Sequence, residues 1–109
     1  MKLPRKDPRT EGELQRWFVI ALQDKGYLVY KFASPAKRGV PDLCVIDFDG
    51  SVFFVEMKSP CGGGILSPLQ RVQIRKMLDN NAEVYISSSI SDCVAIEAGT
   101  HPVVRYAEL

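Results

Sequence analysis

Val40-Pro41-Asp42-Leu43-Cys44-Val45-Ile46-Asp47-Phe48-Asp49-Gly50-Ser51-Val52-Phe53-Phe54-Val55-Glu56-Met57-Lys58 is the stretch on which the fold turns. Two runs rich in β-branched and aromatic residues flank Asp49-Gly50, a hairpin signal, so 42–48 and 51–58 are expected as paired strands. Glu56 and Lys58 are two apart and share one face of the second strand, while Met57 points the other way. Val52 and Phe54 precede them on that face, with Phe53 and Val55 opposite. A carboxylate and an ammonium at the end of a buried strand are costly to place there. Whether Asp42 meets them depends on the loop. A two-residue Asp49-Gly50 loop pairs Phe48 with Ser51 and sets Asp42 opposite Met57, on the wrong face. A three-residue loop, Phe48-Asp49-Gly50 with Gly50 left-handed, pairs Asp47 with Ser51. Asp42 then stands across from Glu56, with Cβ atoms about 5 Å apart. Glycine suits the last position of the longer loop, and that loop is the one we expect.

Outward from the hairpin, residues 1–9 hold two prolines and four basic side chains and read as a basic arm, leaving 10–109 as a single domain. Thr10-Glu11-Gly12-Glu13 matches the capping box, Thr at the N-cap and Glu three residues later. Leu14, Trp17, Phe18, Ala21 and Leu22 follow at helical spacing, and Gly26 supplies a stop. Tyr27 to Phe32 reads as a strand and Ala33 to Val40 as a basic loop. Ser59-Pro60-Cys61-Gly62-Gly63-Gly64 cannot hold regular structure. Ser67-Pro68 opens a second helix that fades at Asp79-Asn80-Asn81. Residues 82–87 read as a fourth strand, 91–98 as a short helix and 103–106 as a last strand. The order is that of one mixed α/β layer pair with the hairpin at its centre.

At 109 residues and 12.2 kDa, with 46% hydrophobic and 25% charged residues, the chain has the make-up of one globular domain. No apolar run approaches the roughly 20 residues a bilayer span needs. Asp7-Pro8 follows the basic N-terminus where a signal peptide would place apolar residues, so none is expected. Three scattered cysteines and one histidine form neither a disulfide framework nor a zinc site, and a reducing cytoplasm is the expected compartment. The net charge of +1 hides an asymmetry. Residues 1–40 hold nine Lys/Arg against four Asp/Glu, a balance of +5, and the remainder five against nine, a balance of −4. Such a chain can join a phosphate-contacting surface to a carboxylate site, although a solvated basic surface reads the same way.

Two carboxylates at close range repel, and a divalent cation between them keeps both ionised. Hard oxygen ligands without Cys or His favour Mg²⁺ or Mn²⁺ over zinc. Such an ion retains waters, one of which can attack a phosphodiester, and Lys58 would hold that water or a phosphate oxygen. The bland alternative is a surface Glu–Lys pair and an Asp at a strand start.

Pro41-Asp42 followed by Glu56-Met57-Lys58 resembles the PD-(D/E)XK nuclease signature. Ser34-Pro35-Ala36-Lys37-Arg38-Gly39-Val40-Pro41-Asp42 before it and Leu66-Ser67-Pro68-Leu69-Gln70 after it resemble the VRR-NUC branch, of the stand-alone viral or phage-like type. The resemblance implies a restriction-endonuclease-like αβββαβ core, a central mixed sheet flanked by helices. It also implies Mg²⁺- or Mn²⁺-dependent cleavage of DNA, with Asp42, Glu56, the Met57 main-chain carbonyl and a helix-1 acid at the metal. For that acid both the helical arc and the family pattern select Glu11, leaving Glu13 as a cap. Gln70 matches a glutamine beside the family's active site, and it equally fits the third position of a capping box with Ser67. Lys37, Arg38 and Gly39, with Lys31 weaker, are the expected phosphate contacts.

Stand-alone members of this branch resemble homodimers that cut branched DNA such as four-way junctions, so DNA and a second copy are the expected partners. The setting would be the host cytoplasm if the gene is a phage's. The competing readings are a monomeric nicking or flap nuclease, and a catalytically silent DNA-binding module.

Overall fold

Thr10 accepts the Glu13 amide at 3.1 Å and so opens α1, Glu11–Asp24, in a computed structural model that describes residues 1–32 and 38–109. Leu14, Phe18, Ala21 and Leu22 are the buried residues of α1, at the spacing of one helical stripe. The chain then forms β1, Leu28–Lys31, β2, Leu43–Ile46, and β3, Val52–Met57, an antiparallel meander. Ser67 caps α2, Pro68–Asp79, which carries the chain across the sheet so that β4, Glu83–Ser87, lies parallel to β3. α3, Ile90–Ala98, and a short 3-10 turn, Tyr106–Glu108, complete the order. The sheet runs β1-β2-β3-β4, mixed and flanked by helices, with the αβββαβ order expected.

Alternation along the strands divides the core in two. Leu43, Val45, Val55 and Met57 face α1 and α3 and pack with Leu14, Phe18, Leu22, Cys93 and Ile96. Phe54, Val84 and Ile86 face α2 and pack with Leu66, Ile74 and Met77. Fully burying one such side chain contributes roughly 1.5–3 kcal/mol, so the pattern of inward residues fixes the register strongly. Residues 1–5 run along α1, where Met1 packs on the core and the Trp17 indole donates to the Lys2 carbonyl at 3.1 Å.

The hairpin takes the longer loop. Ile46 pairs with Val52 and Leu43 with Val55. The Asp47 amide donates to the Ser51 carbonyl at 2.8 Å, and Gly50 closes the turn onto the Asp47 carbonyl at 3.0 Å. Gly50 has φ +86°, the left-handed conformation that the three-residue loop requires.

The strand expected over 103–106 does not form. Val104 donates a single bond, to the Val84 carbonyl at 2.8 Å, and its side chain fills the core under α2. Pro102 has no N–H to extend a ladder, and Tyr106 already turns into the 3-10 helix, its hydroxyl donating to Asp79 at 2.7 Å.

Gly50 therefore holds the register that defines the site. Gly50→Ala is expected to cost about 1–2 kcal/mol in urea unfolding, the penalty of a left-handed Cβ, and Gly50→Asn clearly less. Equal stability of the Ala variant and the native chain would show that the loop does not depend on this conformation.

Candidate active site

The end of the sheet where β1, β3 and β4 finish and β2 begins gathers the polar groups. Asp42 immediately precedes β2, and Glu56 is the penultimate residue of β3. The ladder of Leu43 with Val55 continues one step to set Asp42 facing Glu56. Because Leu43, Val55 and Met57 are drawn into the α1 core, Asp42 and Glu56 must point to the opposite, α2 side. Glu56 is only 2% exposed.

Burial of that depth requires partners, and α2 provides one from its first turn. The Gln70 side-chain amide donates to Glu56 Oε2 at 2.5 Å, while its Oε1 accepts from Lys58 Nζ at 2.7 Å and from the Ser67 amide at 2.9 Å. The Ser67 hydroxyl in turn accepts the Gln70 amide at 3.2 Å. Gln70 is thus both the capping-box partner of Ser67 and a bridge between Glu56 and Lys58, and the two roles read from the sequence coexist. Lys58 Nζ lies 3.2 Å from Glu56 Oε2 with its side chain 15% exposed. Asp42 is held differently, its Oδ2 accepting the Met57 amide at 2.8 Å. That clamp across the strand end was not read from the sequence, since only the register reveals which amide reaches Asp42.

Burial, and second the facing Asp42 carboxylate, push Glu56 up to about 8, with Lys58 drawing it down. Glu11, at the first position of α1, is also raised, first by burial and then by the Asp42 charge, while Lys58 lowers it. The start of α1 therefore lies within the electrostatic reach of the same cluster. Among the described residues no three His, Cys, Asp or Glu side chains converge as a ready cage. The donor set is a carboxylate pair short of positive charge, which suits a cation that binds through one or two carboxylates and keeps its waters, such as Mg²⁺. It does not suit zinc, which takes nitrogen and sulfur ligands.

Gly39 has φ +87°, and a Cβ there would meet the Leu69 carbonyl oxygen at 2.6 Å and the Gln70 nitrogen at 2.9 Å. Its close approach is to the first turn of α2, so the segment leading to Asp42 is pressed against the helix that carries Gln70. Arg38 is exposed beside it. Lys31 pairs with Leu43, which places it on the α1 side of the edge strand, away from the face of Asp42 and Glu56. Lys37 lies outside the described residues. Glu13 stays with Thr10, whose hydroxyl donates to it at 3.2 Å, so of the capping box expected there only the bond from the Glu13 amide to Thr10 forms.

No protein-family model matches the chain. Over 50 residues it is 40% identical to "Putative nuclease p44" of Acyrthosiphon pisum secondary endosymbiont phage 1, a stretch covering 46% of this chain and 54% of the relative. The chain thus spans about half the length of that curated relative. A solved structure described as a VRR_NUC domain superimposes with a TM-score of 0.72 at 28% identity, over 80% of this chain and 94% of that one.

The raised Glu56 has a consequence for stability. From its ordinary value of 4.5 up to about 8 the native state binds more protons than the unfolded chain, so stability falls as pH rises through that window. In metal-free buffer the melting temperature of the native chain is expected to drop between pH 5 and pH 8.5 more steeply than that of Glu56→Gln. The gap in melting temperature between the native chain and Glu56→Gln should therefore shift in favour of the variant by several degrees from pH 5 to pH 8.5, since about 1 kcal/mol moves a domain of this size by roughly 4–8 °C. Parallel profiles would contradict the shift.

Proposed function

We propose that this chain, a VRR-NUC-type domain, is an endonuclease that hydrolyses DNA phosphodiesters with Mg²⁺ or Mn²⁺. The observation that carries the proposal is the facing Asp42–Glu56 pair, backed by Lys58 on the Gln70 bridge. The likeness to a phage protein named as a nuclease and to a VRR_NUC domain supports it. Asp42 and Glu56, with the Met57 main-chain carbonyl, are the groups that would hold the ion, and Glu11, which feels the Asp42 charge from the start of α1, would join them through a retained water. Bound there, a hard divalent cation supplies charge neutralisation at the phosphate and a lowered pKa for water.

The chain's own groups set the geometry. Gln70 ties Glu56 and Lys58 into one network, so neither swings away from the strand end. The Lys58 ammonium has three donors on a flexible stem, and it presents one to the attacking water or to a phosphate oxygen. Met57 keeps Asp42 turned toward Glu56 through its amide. Arg38 and Gly39, with Lys37, are the proposed backbone contacts, which position DNA without reading its sequence, whereas Lys31 stands on the opposite face of the edge strand and is not among them. Glu11 feels Asp42 and Lys58, and Gln70 bonds Glu56 and Lys58, so the N-termini of α1 and α2 both lie at this end of the sheet, where their dipoles favour a bound phosphate. The finer proposal, which rests on the resemblance, is a homodimer that cuts branched DNA such as four-way junctions. Two sites related by a two-fold axis would then cut two strands symmetrically, in the cytoplasm of a phage's host.

Labelled four-way junction, flap and linear duplex, incubated in Mg²⁺, Mn²⁺ or EDTA, test this directly. Cutting of the junction at two symmetric positions is expected with either metal and not in EDTA. Lys58→Ala and Asp42→Asn, with melting curves checked, should lose about 100-fold or more of the rate, the order of a lost general-acid/base or positioning group. Binding of all three substrates with no cutting under any metal would leave a silent DNA-binding module instead.

A further inference from the structure

On the α2 side of the sheet the side chains stand in rows across the strands. One row is Tyr30–Cys44–Phe54–Val84. The next, at the site, is Phe32–Asp42–Glu56–Ile86, since the Phe32 amide donates to the Asp42 carbonyl at 2.7 Å and Glu56 pairs with Ile86. Residues directly opposite on antiparallel strands share a face. The Phe32 ring proves the point by lying 5.7 Å from the Phe54 ring at 50°. α2 covers Phe54, Val84 and Ile86, yet leaves open Tyr30 of β1 and Phe32 just past its end, with Phe32 40% and Tyr30 55% exposed.

A half-exposed aromatic ring one strand away from two carboxylates adds little to the core, and phosphodiester hydrolysis does not use it. The group that such a ring recognises beside a phosphate site is a nucleobase. Bases in a duplex are already stacked on both faces, so a protein ring gains a base only where the strand is unpaired or splayed. Strand spacing is about 4.8 Å, which puts Phe32 within one nucleotide's span of whatever sits at Asp42 and Glu56. β1 carries no acidic residue, and Lys31 within it and the exposed Arg38 add positive charge nearby.

We propose that Phe32, with Tyr30 behind it, is a stacking platform for an unpaired nucleobase next to the scissile phosphate at the Asp42–Glu56 end of the sheet. The platform makes the enzyme selective for strands that have left the duplex at a branch or end. This rests on the nuclease function proposed above. Phe32 is a specificity-determining residue here, acting on the base and not on the reacting phosphate.

The test uses two DNAs of one sequence, a continuous duplex and a splayed duplex with 2-aminopurine at the first unpaired base, in Ca²⁺ to hold the complex uncut. The native chain should quench the 2-aminopurine on binding the splayed DNA, as stacking does. Phe32→Leu should abolish the quench and lose about tenfold more affinity for splayed than for continuous DNA, and Phe32→Trp should restore both. Equal losses on the two DNAs, or no quench with the native chain, would overturn the platform while leaving the nuclease function standing. A change to a smaller species in sedimentation of Phe32→Leu would overturn it in favour of a second copy on this face. A native chain that neither binds nor cuts any DNA would overturn the nuclease function, and the platform with it.

Discussion

Repulsion between two carboxylates at facing positions of adjacent strands is the constraint around which this protein is built. In water such a pair would turn apart, but the backbone here forbids it. Asp42 and Glu56 alternate with Leu43, Val55 and Met57, whose burial under α1 is worth several kcal/mol in sum, and turning the carboxylates to the other face would expose those side chains. The cost of holding the pair is visible in Glu56, pushed up to about 8 by burial and by its neighbour. A core thus imposes a charge arrangement that the charges alone would not choose, one that a bound cation would relieve.

Two further devices hold the pair in place from opposite directions. Gly50 sets the count of residues in the hairpin loop, and one residue fewer would place Met57 opposite Asp42. Gly39 lets the chain approach the first turn of α2 so closely that no side chain fits between them, which brings Gln70 to the strand ends. Gln70 then carries three bonds at once, to Ser67, Glu56 and Lys58, so the cap of a helix and the order of the site are one network. Loss of the cap would loosen the site, and loss of the site's charges would leave the cap intact.

Much of this was legible in the residues, because local chemistry and alternation carry it. Thr10 and Ser67 announce their helices, and the inward stripe of α1 is written in Leu14, Phe18 and Leu22. The hairpin register followed from a glycine preference at a single position. What stayed hidden depends on contacts between distant segments. The Met57 amide on Asp42, the approach of Gly39 to Leu69, and the position of Phe32 beside Asp42 all follow from pairing geometry that no single stretch encodes. The tail misled for a related reason. Val103 to Tyr106 has strand-like residues, yet after Pro102 only Val104 finds a partner in the sheet, and packing beneath α2 takes precedence over ladder formation.

If the Asp42–Glu56 pair is a cation site, heat denaturation with and without metal must show it. A ligand that binds the native state alone must raise the melting temperature, by about 2.7 kcal/mol of stability at a hundred times its dissociation constant. Millimolar Mg²⁺ or Mn²⁺ is expected to raise it by several degrees above pH 7 in the native chain and to leave Asp42→Asn unmoved. A melting temperature that neither metal shifts, with DNA present or absent, would contradict the claim.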